Sequence, residues 1–181
     1  MLYGMNTNAP DLPAPTSTSP IEKPRAFVGL RLLALVYDVF PVVALWMLAA
    51  AGFTFLYFVT GHVVRENIQP FSSWQWFLWV TCFFLTGGYA VLSWHLGGQT
   101  LGMRPWRLLV ERLDGGLPKP RWLWVRFLVG MVSLLAVGMG FWWAWIDKDR
   151  LTWHDRASGT RIRRMPKGWD PDERPLHRAR D

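Results

Sequence analysis

Cysteine occurs once in the 181 residues, at Cys82 inside an apolar run, which excludes a disulfide framework and a redox pair. The histidines, His62, His95, His154 and His177, lack the spacing of metal ligands, and there is neither a GxGxxG fingerprint nor a phosphate loop, so no metal and no cofactor is expected. A His154-Asp155 pair stands in "RLTWHDRASGTRI", yet the sequence places no serine or cysteine nucleophile beside it, and we do not expect an enzyme. The first 24 residues lack both the basic and the apolar regions of a signal peptide. Being rich in Pro, Ser and Thr, they read as a disordered tail over 1–24, with a second tail of similar character over 165–181. Most telling is where charge is missing. Trp74 to Trp94 and Phe127 to Ile146 carry none, and Leu32 to Val59 carries only Asp38.

Each of these three runs has at least the roughly 20 apolar residues needed to cross a hydrocarbon core about 30 Å thick. They lie within one domain spanning 25–164. The net charge of +7 would suit nucleic acid, but the cations sit in segments flanking the apolar runs and no zinc-finger spacing or basic helix accompanies them. The bilayer is the expected partner, and nucleic acid is not.

The distribution of Lys and Arg orients the chain. Three precede the first run (Lys23, Arg25, Arg31), Arg65 alone lies in the first loop, and six lie between His95 and Arg126, which predicts a cytoplasmic N-terminus and second loop. Ten more follow Asp147, and a third simple crossing would put all of them outside. The Gly-Met-Gly at 138–140 offers a bend within the third run. Two half-helices of about ten residues, each about 15 Å long, would then enter and leave on one side, provided that the bend is buried against protein. "RLLVERLDGG" and "GTRIRR" read as short strands that need each other for stability, which again puts both on one side. The predicted fold is an all-α membrane protein with two long transmembrane helices and a small cytoplasmic β element. Its third apolar segment is expected to be a re-entrant hairpin, with a third crossing as the alternative.

Within "GLRLLALVYDVFPVV", Arg31 and Asp38 are seven residues apart and share one helix face. Arg31 can snorkel to the headgroups; Asp38 is too short, and at mid-membrane it costs about 2.5 to 3.5 kcal/mol. Pro41 has no amide hydrogen, so the carbonyl of Tyr37 loses its helical partner beside Asp38. Two oxygens would then await a proton, a monovalent cation or a guanidinium, for which Arg126 at the head of the third run is the candidate. Most of Thr54, Gln75, Thr81, Thr86, Ser93 and Ser133 are expected to bond between helices or back onto their own, and Gly87 and Gly88 to permit close helix approach. Thr152 followed by Asp155 reads as a capping box opening a short helix that Gly159 ends.

Three separated segments together resemble the RDD family of bacterial membrane proteins, named for one arginine and two aspartates. "GLRLLALVYD" is similar to that family's opening, with Arg31 and Asp38 in the named positions. "GGQTLGMRPWRLLV" resembles its motif after the second helix through Gly98, Gln99, Thr100, Leu101, Gly102 and Arg104. "RLTWHDRASGTRI" resembles the closing motif, with Asp155 as the second aspartate and Gly159-Thr160 following. The resemblance runs from Phe27 to Arg163 and departs at Glu111, where the family usually has an apolar strand residue.

The resemblance implies a transport role, with sodium/proton-type antiport attributed to some members. We therefore expect a multi-pass protein of the bacterial inner membrane that moves, or assists the movement of, a small solute or monovalent cation, proton-coupled and as a homo-oligomer. Asp38 would be the exchanging carboxylate, Arg31 and Arg126 would set its affinity, and Asp155 would organise the cytoplasmic face. The alternative is a non-transporting scaffold or assembly factor.

Overall fold

In the computed structural model, residues 26–61 and 71–168 are described; the expected tail over 1–24, most of the expected tail over 165–181, and Arg65 lie outside them. Seven elements follow one another: α1 (Val28–Val59), α2 (Ser73–Gly97), β1 (Leu108–Arg112), α3 (Pro120–Leu135), α4 (Met139–Ile146), α5 (Trp153–Ser158) and β2 (Thr160–Arg164).

Two of these helices, α1 and α2, are long and apolar enough to cross a membrane. Their outward residues are large and greasy: Phe40, Met47, Leu48 and Phe55 on α1 and Phe77 and Phe84 on α2 are all exposed. A continuous surface of that kind is unstable against water and suited to acyl chains, and an α-helix satisfies its own backbone there. Ser72 caps α2 by accepting from the Gln75 amide, and Gly98 ends it in the left-handed conformation at φ 66°.

The third apolar run is broken. α3 and α4 meet at 99° across a break at 136–138, where Val137 and Gly138 both have positive φ. Gly138 is the expected bend, whereas Gly140 serves close packing, since a Cβ on it would lie 2.8 Å from the Ser133 Cβ. With 16 residues α3 is about 24 Å long, short of a full crossing.

Its two ends are joined by the sheet. β1 precedes α3, β2 follows α5, and they pair antiparallel from Leu108↔Arg164 to Arg112↔Thr160. The third apolar run is thus a bent pair of helices, a broken span or a re-entrant loop, whose flanking strands meet in one sheet. The fold runs just past Arg164, because buried Met165 donates its amide to the Arg107 carbonyl at 2.8 Å.

The core sits where the membrane helices meet this sheet. Ala34, Val91, Met103, Leu108, Val110 and Leu123 form one cluster, and Val28, Ala26, Phe141 and Ala144 form a second that seats α4 on the start of α1. Glu111, the departure from the family pattern, is buried in β1 and receives the Arg161 Nε at 2.7 Å from the partner strand. A cross-strand ion pair thus replaces an apolar contact, and the strand is kept. Gly87 permits the expected close approach, with Trp124 and Phe127 of α3 packed where a side chain would stand; Gly88 has open space instead.

Candidate functional site

The short helix α5 carries the centre of the site. Thr152 accepts from the Asp155 amide and Asp155 returns a bond to the Thr152 amide, which is the expected capping box, and Gly159 ends the helix at φ 60°. This box pins a fully buried carboxylate, and a buried charge needs partners.

Two arginines supply them. Arg31 Nη1 of α1 donates to Asp155 Oδ2 at 2.5 Å and to Thr152 Oγ1 at 3.2 Å. Arg126 Nη1 of α3 donates to Asp155 Oδ1, and to Thr160 Oγ1 at 2.7 Å. Both guanidiniums are buried, and that of Arg126 lies 5.3 Å over the Trp94 ring. Burial alone would raise the Asp155 carboxyl; Arg31 and Arg126 outweigh it and hold the group well below the usual carboxylate range. The neighbouring His154 is buried against Phe141 and faces the same two cations. Desolvation first, and Arg126 next, push it down to about 3, so it is a neutral imidazole.

Asp38 has a different environment from the one its sequence suggested. The expected Asp38–Arg126 pair does not form, because Arg126 is engaged by Asp155, which closes on it from 29 residues downstream. Asp38 instead accepts from three neutral donors: the Tyr89 hydroxyl at 2.7 Å, the Thr100 hydroxyl at 2.5 Å and the Gly102 amide at 2.8 Å. Thr100 and Gly102 belong to the loop after α2, and the 21 residues of α1 beyond Asp38, Val39 to Val59, still measure about 32 Å, enough to span the hydrocarbon alone.

The remaining sequence candidates divide. Pro41 lies inside α1, and Tyr37 is exposed with its ring edge-on to Trp106 at 6.1 Å. The Gly98 carbonyl receives the Val110 amide and so ties the end of α2 to β1; Gln99 is buried beside it, while Arg104 is exposed. Thr160 is fully buried and Gly159 is the cap already described. Thr54 and Thr81 bond back to their own helices, and Thr86 does so too while receiving the Trp46 indole at 2.9 Å.

Tyr89 was not among the expected site residues. Its only sequence signal is its position, one helical turn from Thr86 and four residues before Ser93 on a weakly polar face of α2.

Gly102 is the tightest point of the loop. A Cβ there would overlap the Ala34 carbonyl oxygen and stand 2.7 Å from Asp38 Cγ and 2.9 Å from the Asp38 amide nitrogen. Backbone cannot yield as a flexible side chain can. Gly102→Ala is expected to cost about 1 to 3 kcal/mol, read as a lowered Tm in detergent, with Gly88→Ala as the unaffected control.

These side chains converge on one cavity. α1 packs on α2 and α2 on α3, while α1 and α3 touch little, and between them opens a space of about 380 Å³. Arg31, Asp38, Tyr89, Arg126 and His154 line its polar end; Val42, Met131 and Leu134 line its apolar end. A volume of this size lies within the range of small-molecule sites.

The model of the RDD family matches residues 25–159. The chain belongs to the RDD family. No curated protein and no solved structure matches it. In this RDD protein, therefore, Arg31 and Asp155 are direct partners, whereas Asp38 is held separately by α2 and the loop that follows it.

Proposed function

We propose that this RDD protein takes a small solute into the cavity between α1 and α3 and moves it, or assists its movement, with Asp38 as a proton-exchanging carboxylate. One observation carries the reading: Arg31, Asp38 and Arg126, drawn from two separate membrane helices, line a single cavity whose other end is apolar. Intramembrane ionisable groups beside a cavity are the usual components of a solute or proton path. The three donors on Asp38 occupy lone pairs that direct cation coordination would need, which speaks against a bare cation as its ligand. The reading is a non-enzymatic one, and the engagement of Asp155 by two guanidiniums supports it. We place the sheet-bearing end in the cytoplasm of a bacterial cell, because six Lys and Arg lie between His95 and Arg126. A homo-oligomer would enlarge what is a small membrane body for a transporter.

A second reading has its own observation. The Arg31–Asp155–Arg126 cluster joins α1, α3 and α5 through buried charge, which suits a rigid assembly scaffold as well as a transporter.

Proteoliposomes enclosing a pH-sensitive dye separate the two. On addition of NaCl, KCl or octanoate, the wild-type chain is expected to change the internal pH faster than empty liposomes do. Asp38→Asn, inserted normally, should lose about tenfold or more of that protein-dependent rate. An unchanged rate removes Asp38 from the mechanism, and a wild-type chain no faster than empty liposomes leaves the scaffold.

A further inference from the structure

The polar end of the cavity is rich in donors that nothing satisfies. Arg31 Nε, Arg126 Nε and Trp94 Nε1 are buried without a hydrogen-bond partner among the described residues, and all three side chains line the cavity. Arg31 and Arg126 are only 4% and 3% exposed, so their Nε–H groups have no ready route to bulk water. A buried donor left unsatisfied costs about 1 to 3 kcal/mol, more when charged; these three atoms face protein, and what reaches the cavity is the guanidinium charge of its two lining arginines.

Charge points the same way. The Arg31–Asp155–Arg126 cluster holds two cations against one carboxylate, an excess of one positive charge. Asp38 lies seven residues further along α1, about 10 Å from Arg31, with its oxygens already covered by Tyr89, Thr100 and Gly102. It neither meets the guanidinium donors nor fills the space beside them. From there the cavity continues between Val42, Met131 and Leu134 toward the side where α1 and α3 touch little, which in a bilayer is the acyl-chain region.

We propose that this cavity binds a single-chain carboxylate amphiphile drawn sideways from the bilayer, its carboxylate against the Arg31 and Arg126 guanidiniums that line the space and its chain between α1 and α3. The proposal rests on the reading of this cavity as the solute site and names the chemical class of the solute. It does not depend on movement across the membrane, since binding is measured without a gradient. A carboxylate meets all three requirements together: it accepts several hydrogen bonds, balances the excess charge and is small enough to share the space with a chain. Neutral His154, which also lines the cavity, adds no competing charge.

Gly130 gives a clean way to close the cavity. It lines the space, and a Cβ on it would meet nothing within 4 Å, so a larger side chain can grow into the cavity without disturbing the charges. Leucine is also the better helix former.

The full chain in phosphatidylcholine nanodiscs, photolabelled with palmitic acid carrying a diazirine on its chain, is the test. Cross-links are expected on Val42, Met131 and Leu134. Unlabelled palmitate should displace the probe at least about tenfold more effectively than hexadecanol, and acetate should not displace it. Gly130→Leu, with an unchanged Tm, should lose about tenfold or more of the labelling. Equal competition by hexadecanol would show that the head group is not read. Competition by acetate at the potency of palmitate would make the ligand a soluble carboxylate. Undiminished labelling of Gly130→Leu would place the probe in the surrounding lipid. Any of the three overturns the proposal, and none of them bears on whether Asp38→Asn alters proton movement.

Discussion

Asp155→Asn is expected to destabilise the protein by about 3 to 5 kcal/mol, because it leaves two buried guanidiniums with no anion between them. Asparagine preserves the shape and the hydrogen bond to the Thr152 amide, so the loss isolates charge from packing. The oxygen on the Thr152 amide is also the one that Arg31 meets, so Arg31 would keep a neutral acceptor, whereas Arg126 would face the new NH2 and keep only Thr160. Thermal unfolding in detergent reads the effect, with Asp114→Asn as the comparison. Asp114 pairs with Arg112 at 2.8 Å on the surface, both side chains being about half exposed, and such pairs contribute at most about 1 kcal/mol. Removing Arg126 together with Asp155 should cost less than the two single changes added, since each partner is harmful chiefly when left alone. A Tm for Asp155→Asn as mild as that for Asp114→Asn would mean that the cluster is not what joins α1, α3 and α5.

The second large effect is a loss of stability in mild acid, and its sign follows from His154. In the folded protein its pKa lies near 3 against an ordinary 6.5. Between those values the unfolded chain binds a proton that the folded chain refuses, so stability is complete above about pH 6.5 and falls as the pH drops toward 3. At pH 4 the loss is on the order of 3 kcal/mol. Asp155 acts in a lower window, because its depressed carboxyl keeps its contribution down to the ordinary carboxylate range and loses it only below that. Tm measured from about pH 7 to pH 4 should therefore fall for the wild-type chain and stay nearly flat for His154→Leu. A parallel fall in both would assign the acid sensitivity to other groups.

Much of the fold was legible because lipid imposes simple rules. Runs with little or no charge became α1 and α2, the first glycine of Gly-Met-Gly became part of a break, and the Thr152–Asp155 spacing became a capping box. Each is a local property of a few neighbouring residues. What stayed hidden was pairing at a distance. Arg126 has two carboxylates to choose between, and nothing local to Asp38 or to Asp155 says which one reaches it; the decision rests on how α5 docks against α3. Tyr89 was hidden for a related reason, since a tyrosine in an apolar run looks like interfacial filler until a loop brings Asp38 and Leu101 to its hydroxyl. Glu111 shows the converse. An acid in an otherwise apolar stretch of strand looks like a fault until Arg161 is found across from it.

The separation between Arg31 and its carboxylate also has a consequence for biogenesis. Arg31 enters the membrane 124 residues before Asp155 is translated. At roughly 5 to 20 residues per second the ribosome needs about 6 to 25 seconds to cover that distance. Throughout that interval the first helix holds an arginine whose eventual counterion does not yet exist, so headgroups or the insertion machinery must shelter it. A nascent chain arrested before Asp155 would carry both arginines unneutralised, a state that quality-control proteases are well placed to recognise.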